Sequence, residues 1–173
     1  MGLVESVPRT SALERARMSE TTELPEFDLA LSGGGRVSRS DLLGRRTVLY
    51  FYPKDDTPGC TLEGQEFTRL LPAFEHAGVA VYGISPDTAE SHDHFAAKCE
   101  LGVPLISDPD HTLIDSLQLW VTKSLYGRSY MGVERSTFVI GPDGRVEREW
   151  RAVKPQGHAD EVLAALQDGP DRA

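Results

Sequence analysis

The chain has 173 residues, a formal net charge of −9 and two cysteines. This length favours one domain that buries most of its apolar surface, and two cysteines are too few for a disulfide framework. The negative charge argues against a nucleic-acid partner. No apolar run approaches the ~20 residues that span a bilayer, and residues 1–20 lack the apolar core of a secretory signal. We therefore expect no membrane partner, and we expect a reducing cytoplasm as the location.

The ends of the chain differ in character from its middle. Residues 1–22 show no sustained hydrophobic period, so we predict a flexible N-terminal tail there. A single domain is predicted over residues 23–169. The last helix should stop at Gly169-Pro170, which leaves residues 170–173 as a short C-terminal tail.

Within the domain, the predicted elements begin with an edge strand at Phe27 and Leu29, followed by a glycine turn at 32–35. Apolar runs then indicate strands and helices that alternate. The strands are Thr47–Tyr50, Val79–Ile84, Leu105–Ile106, Ser136–Ile140 and Val146–Trp150; the helices are Glu63–Leu71, Thr88–Glu100, Thr112–Leu119 and one that opens near Gly157. The last two strands flank Gly-Pro-Asp-Gly, a hairpin signal. The sequence therefore predicts an α/β fold with a central mixed sheet and helices on both faces.

The most informative stretch lies between the first central strand and the first long helix, at Phe51–Glu63. Thr57 or Gly59 can serve as the N-cap and Pro58 suits the first helical positions, so Cys60 is predicted in the first turn. A thiol there faces the positive end of the helix dipole and unpaired backbone N–H groups. Both favour the thiolate, which is the nucleophilic form. The sequence thus predicts one reactive cysteine, whereas the alternative is a buried structural cysteine after a strand.

The same stretch resembles the peroxidatic-cysteine motif of the peroxiredoxins, with Pro53, Thr57 and Cys60 as its Pro, Thr and Cys. Its Thr-Pro-Gly-Cys-Thr context with Glu63 resembles the bacterioferritin comigratory protein (PrxQ-type) subfamily, and the resemblance covers residues 24–168. It implies a thioredoxin-like fold and a thiol-specific peroxidase. Such an enzyme reduces hydrogen peroxide and organic hydroperoxides without a cofactor.

The resemblance also implies roles for individual side chains. Cys60 would attack the peroxide, Thr57 would present a hydroxyl to the same space, and Pro53 would shield the site from water. Arg135 would supply a cation that stabilises the thiolate and binds peroxide oxygen. The alternatives are that Thr57 only caps the helix and that Arg135 is a surface arginine. Glu63 either takes part in the site or only favours the helix N-terminus.

The sequence departs from the subfamily at the resolving cysteine. Subfamily members carry that cysteine five residues after the peroxidatic one, where this chain has Gln65, or directly after a Phe that matches Phe95, where it has Ala96. Cys99 lies one helical turn later on nearly the same face. It is therefore our candidate for a disulfide with Cys60 that thioredoxin or a similar dithiol would reopen. Alternatively, Cys99 is a small apolar core residue, and an external thiol resolves a one-cysteine peroxidase.

Other functions remain as hypotheses. A thioredoxin-like disulfide oxidoreductase would use Cys-x-x-Cys, and Glu63 stands where its second cysteine would be. A non-enzymatic peroxide sensor or holdase would pass its oxidation to a partner. His92 and His94 do not favour a metal site, because side chains two residues apart on a helix point roughly 200° apart. We expect no metal, and we expect a monomer.

Overall fold

A computed structural model describes residues 22–167 of the chain. Residues 1–21 of the predicted N-terminal tail and the predicted C-terminal tail at 170–173 lie outside the described residues. Within 22–167, no helix has both the length and the apolar character needed to cross a membrane.

In the described part of the chain, strands and helices alternate through the middle, whereas two strands precede the first helix and four consecutive strands precede the last one. The strands are β1 (Asp28–Ala30), β2 (Arg36–Ser38), β3 (Arg46–Phe51), β4 (Val79–Ser85), β5 (Leu105–Ser107), β6 (Trp120–Leu125), β7 (Arg128–Val133), β8 (Ser136–Ile140) and β9 (Val146–Trp150). The helices are α1 (Arg39–Leu42), α2 (Pro58–His76), α3 (Ala89–Cys99), α4 (Thr112–Ser116) and α5 (His158–Gln167).

The central sheet has five strands in the order β5-β4-β3-β8-β9. Strands β3, β4 and β5 are parallel, whereas β8 runs antiparallel to β3 and β9 runs antiparallel to β8. The predicted mixed sheet is therefore confirmed. All residues of β3 except the first are buried, as expected for a central strand that is covered on both faces. The loop that follows β3 carries the candidate site.

The two faces of the sheet build two separate cores. Side chains alternate along a strand, so Leu49 and Phe51 of β3 enter one core, while Val48 and Tyr50 enter the other. The first core also contains residues of the short helices α1 and α4: Leu42, Leu113 and Ile114. The second contains residues of the three long helices α2, α3 and α5: Phe67, Phe74, Phe95, Val162 and Leu166. Helices on both faces were predicted, and this arrangement confirms them.

Several details differ from the sequence prediction. Helix α2 spans Pro58–His76 and is much longer than the predicted Glu63–Leu71. Helix α4 ends at Ser116 rather than Leu119. The β6–β7 hairpin was not predicted at all. Its strands are mostly exposed and lack the alternation of a half-buried strand, so hydrophobic periodicity gave no signal. Its turn is made by Tyr126 and Gly127, both at positive φ.

Candidate active site

Cys60 lies in the first turn of α2, as the sequence predicts, and its side chain is buried. Thr57 occupies the N-cap position, and Pro58 begins the helix. The hydroxyl of Thr57 does not cap the helix; its Oγ1 donates to the carbonyl oxygen of Lys54 at 2.9 Å. The first-turn N–H groups beside Cys60 are therefore left uncapped by that side chain. Their partial positive charge lies at the end of α2 that carries Cys60.

Arg135, which lies 75 residues after Cys60 in the sequence, brings a positive charge next to the thiol. Arg135 directly precedes β8, which pairs with β3. The sheet therefore places Arg135 beside the loop that follows β3. Arg135 Nη2 lies 3.5 Å from Cys60 Sγ, and Nη1 donates to Glu63 Oε1 at 2.6 Å. Gly59 permits this approach, because a Cβ there would lie 3.2 Å from Arg135 Nη2. The predicted pairing of this arginine with the thiol is therefore present in the structure.

Glu63 is a buried part of the same cluster. Its side chain has no exposed surface, and among the described residues its Oε2 has no hydrogen-bond partner. Burial raises the pKa of Glu63 to about 7, although the charge and hydrogen bond of Arg135 oppose this shift. The sequence left the role of Glu63 open. The spacing was the signal that could have indicated it: Glu63 follows Cys60 by three residues, and residues three apart lie on the same face of a helix.

Aromatic rings line the core beneath the thiol. Tyr50 is buried and stacks on Phe67 with ring centroids 4.4 Å apart. Burial first, and then the nearby Glu63 and Cys60, raise the pKa of Tyr50 well above its usual range. Pro53 is half-buried in the loop between β3 and α2. Cys60 belongs to the same buried cluster as these rings, and Arg135 is its charged neighbour.

Cys99 is the last residue of α3 and is half-buried at the edge of the second core. Its Sγ lies 4.0 Å from Oγ1 of Thr61, the residue after Cys60. Gln65 Nε2 donates to the Cys99 carbonyl oxygen at 3.4 Å. Both cysteines are free thiols. The structure therefore brings Cys99 to the same end of α2 that carries Cys60.

The two histidines of the His-x-His pair occupy different environments. His92 is buried, and its ring nitrogens bond Asp55 Oδ2 at 2.8 Å and the carbonyl oxygen of Ile106 at 2.9 Å, whereas His94 is exposed. Within residues 22–167, no three side chains of the metal-binding types are grouped closely enough to hold an ion. Sequence reasoning considered His92 only as a metal ligand and missed its pairing with Asp55.

Comparisons with known proteins identify the family. The AhpC/TSA family model matches residues 21–149. Peroxiredoxin Bcp of Xanthomonas campestris pv. campestris is 48% identical over 148 residues, which cover 83% of this chain and 92% of that protein. This chain is a peroxiredoxin of the AhpC/TSA family. Peroxiredoxin Bcp of Bacillus subtilis is 42% identical over 144 residues, again covering 83% of this peroxiredoxin and 92% of its relative.

Solved structures agree with the sequence comparison. Peroxiredoxin Q of Xanthomonas campestris has a TM-score of 0.81 at 45% identity, over 87% of this peroxiredoxin and 98% of that chain. BcpB of Mycobacterium tuberculosis has a TM-score of 0.75 at 32% identity, over 88% and 98% of the two chains. The peroxiredoxin therefore belongs to the Bcp/PrxQ group, whose members are thiol peroxidases, and its fold is thioredoxin-like.

Proposed function

We propose that this peroxiredoxin reduces hydrogen peroxide and organic hydroperoxides through Cys60. The sulfur attacks one peroxide oxygen, an S–O bond forms as the O–O bond breaks, and Cys60 becomes a sulfenic acid. The other oxygen takes up a proton and leaves as water or an alcohol. One observation carries the proposal: a buried thiol in the first turn of α2 lies 3.5 Å from the guanidinium of Arg135.

Each neighbouring side chain has a task in this step. Arg135 stabilises the thiolate before attack and the negative charge that develops on the departing oxygen. Glu63 holds the guanidinium in place through its 2.6 Å bond. The Thr57 hydroxyl proton is committed to Lys54, so Oγ1 has lone pairs free to accept the O–H of an incoming peroxide. Pro53 limits the access of water.

We assign the resolving role to Cys99. Its sulfur attacks the Cys60 sulfenic acid, an S–S bond forms and water leaves. The 4.0 Å contact between Cys99 Sγ and Thr61 supports this assignment, because it places the second thiol beside the residue that follows Cys60. A thioredoxin-type dithiol then reduces the disulfide. Such recycling fits a reducing cytoplasm, and a disulfide within one chain fits a monomer.

A related protein supports part of the proposed substrate range. A structural study of the Xanthomonas campestris bacterioferritin comigratory protein, 43% identical to this chain with a TM-score of 0.77, addresses its alkyl peroxide reduction activity. The match covers 88% of this peroxiredoxin and 94% of the relative. We therefore include organic hydroperoxides among the substrates proposed here.

Intact mass after one equivalent of hydrogen peroxide tests the mechanism. The wild type should lose two hydrogens by forming an internal disulfide, and Cys99→Ser should gain one oxygen as a sulfenate. Cys60→Ser should neither change mass nor turn over peroxide. Peroxidase activity close to wild type in Cys60→Ser would overturn the assignment of the nucleophile.

Two alternatives give other results in the same experiment. A one-cysteine peroxidase would stop at the sulfenate in the wild type and would turn over only with an added external thiol. A sensor or holdase would be oxidised once, without sustained turnover in the presence of thioredoxin and its reductase.

A further inference from the structure

A buried polar network lies beside the site, and among the described residues no hydrogen bond joins it to either thiol. It consists of Tyr52, Asp55, Ser91 and His92, which we call the Asp55 network. Asp55 accepts from Tyr52 Oη at 2.6 Å and from Ser91 Oγ at 2.8 Å, and its Oδ2 faces His92 Nδ1 at 2.8 Å. Both members of the Asp55–His92 pair are almost fully buried, with side-chain exposures of 4% and 0%.

The contacts of His92 place one proton between it and Asp55. Its Nε2 lies 2.9 Å from the carbonyl oxygen of Ile106, which accepts only, so Nε2 carries a proton. Two lone pairs 2.8 Å apart would repel, so a further proton lies between Nδ1 and Oδ2. Although burial raises the pKa of Asp55, its hydrogen bonds from His92, Tyr52 and Ser91 lower it below its usual range overall. The pair is therefore buried and hydrogen-bonded on both sides, which makes it costly to break.

The network joins the two elements that the proposed disulfide step must bring together. Asp55 lies in the loop that ends at Thr57, whereas Ser91 and His92 belong to the first half of α3, whose last residue is Cys99. The neighbouring Asp56 also bonds α3, through Lys98 Nζ at 2.9 Å, but this ion pair is half-exposed or more on both sides. Two adjacent aspartates thus attach the loop to both ends of α3. Only the Asp55 contact is buried.

We propose that Asp55 and His92 are positioning residues that hold the Thr57 loop against the first half of α3. The held loop keeps Thr57 and the start of α2 in place for peroxide attack. Cys60 and Cys99 lie on different helices, and their sulfurs contact Arg135 and Thr61 rather than each other, so we expect a disulfide to require movement of a helix end. The same restraint opposes that movement, so the network sets the balance between the two steps. This inference rests on the proposed function, because it assumes that Cys60 is oxidised first.

Rapid-quench alkylation followed by intact mass measures both steps separately. In Asp55→Ala, sulfenate formation should slow by roughly tenfold, while disulfide formation from the sulfenate should become several-fold faster. Asp55→Asn should lie between this variant and the wild type, because its amide still accepts from Tyr52 and can donate to His92 Nδ1. Asp56→Ala is the matched control in the same loop, and both rates should stay within about twofold of wild type.

A purely structural role would lower the melting temperature and leave the ratio of the two rates unchanged, which would overturn the proposal. Equal effects of Asp56→Ala and Asp55→Ala would also overturn it. If Asp55→Ala does not fold, Asp55→Asn becomes the test. It must show slower sulfenate formation and faster disulfide formation than wild type, by smaller factors, or the proposal fails.

A wild type that forms no disulfide would contradict the resolving role of Cys99 rather than the network. The network is then judged on sulfenate formation and on backbone hydrogen exchange of residues 89–94. Asp55→Ala should raise this exchange above wild type, and unchanged exchange with an unchanged first step would refute the positioning role.

Discussion

Arg135 donates a 2.6 Å hydrogen bond to the fully buried carboxylate of Glu63. The pair fixes the guanidinium with its other terminal nitrogen 3.5 Å from the sulfur of Cys60. A surface arginine would move freely and contribute little. Here the same side chain serves the thiol and neutralises a buried acid, so its removal should affect the reaction rate and the free energy of unfolding together.

Arg135→Ala should raise the barrier to peroxide reduction by about 2–4 kcal/mol, because it removes the cation beside the thiolate and the departing oxygen. It should also cost about 1–3 kcal/mol of stability, since Glu63, whose pKa is already raised to about 7, loses the hydrogen bond from Arg135 and stays buried as an unpaired acid. Single-turnover kinetics and urea unfolding measure the two effects. Adding Glu63→Met to Arg135→Ala should recover much of the stability but not the rate, because it removes the unpaired buried polar group. A double variant that recovers its rate would show that Arg135 acts only through the fold.

Glu63→Gln should change how stability depends on pH. The pKa of Glu63 rises from 4.5 to about 7 on folding, so the folded protein holds a proton that the unfolded chain releases between these values. This contribution is complete below pH 4.5, falls as the pH rises and is lost above pH 7. The wild type should lose about 2–3 kcal/mol more than Glu63→Gln between pH 5 and pH 8. Urea unfolding at both pH values measures this, and parallel pH curves would contradict a raised pKa.

Thr57→Val should slow peroxide reduction by about 10²-fold, because the variant keeps the shape of the side chain and loses the hydroxyl. Its stability should change by less than about 1 kcal/mol, since the hydroxyl bonds the Lys54 carbonyl and does not cap α2. Thr57→Ser is the matched control and should keep most of the rate. An unchanged rate with a lower melting temperature would reduce Thr57 to a structural residue.

Gly59→Ala should slow the reaction while leaving the free energy of unfolding nearly unchanged. Alanine favours a helix over glycine by about 0.5–1 kcal/mol, and this gain offsets the cost of shifting Arg135, so stability should stay within about 1 kcal/mol of wild type. The new Cβ would lie 3.2 Å from Arg135 Nη2, which forces the guanidinium to shift by a few tenths of an ångström. We expect a several-fold slower attack on peroxide in single-turnover kinetics. A rate equal to wild type would mean that the guanidinium tolerates this shift.

Local signals predicted the position of Cys60 well, because Pro58 and a preceding apolar strand specify a helix start from neighbouring residues alone. The pairing of Arg135 with Cys60 was expected from family resemblance, since nothing local links residues 75 apart in sequence. The buried state of Glu63 and the bond between Asp55 and His92 were not predicted. Both depend on how α2 and α3 pack on the sheet, and a charged residue in a sequence is ordinarily assigned to the surface.

Cys99→Ser tests the last step of the cycle. The thiols of Cys60 and Cys99 lie on different helices, and the 4.0 Å contact of Cys99 is with Thr61 rather than with Cys60. Bridging two cysteines requires Cα atoms within about 7 Å, so we expect at least one helix end to open. In oxidised wild type, backbone hydrogen exchange should rise in residues 57–64 and in the second half of α3, because both segments end near a glycine.

The matched variant should behave differently in each measurement. Oxidised Cys99→Ser should keep the exchange of the reduced protein, accumulate sulfenate and pass more readily to sulfinate at excess peroxide, because no second thiol removes the sulfenic acid. Intact mass and exchange mass spectrometry on the same samples separate these outcomes. If oxidised wild type also stops at sulfenate with unchanged exchange, Cys99 serves only as an apolar residue at the edge of the core, and an external thiol must complete the reaction.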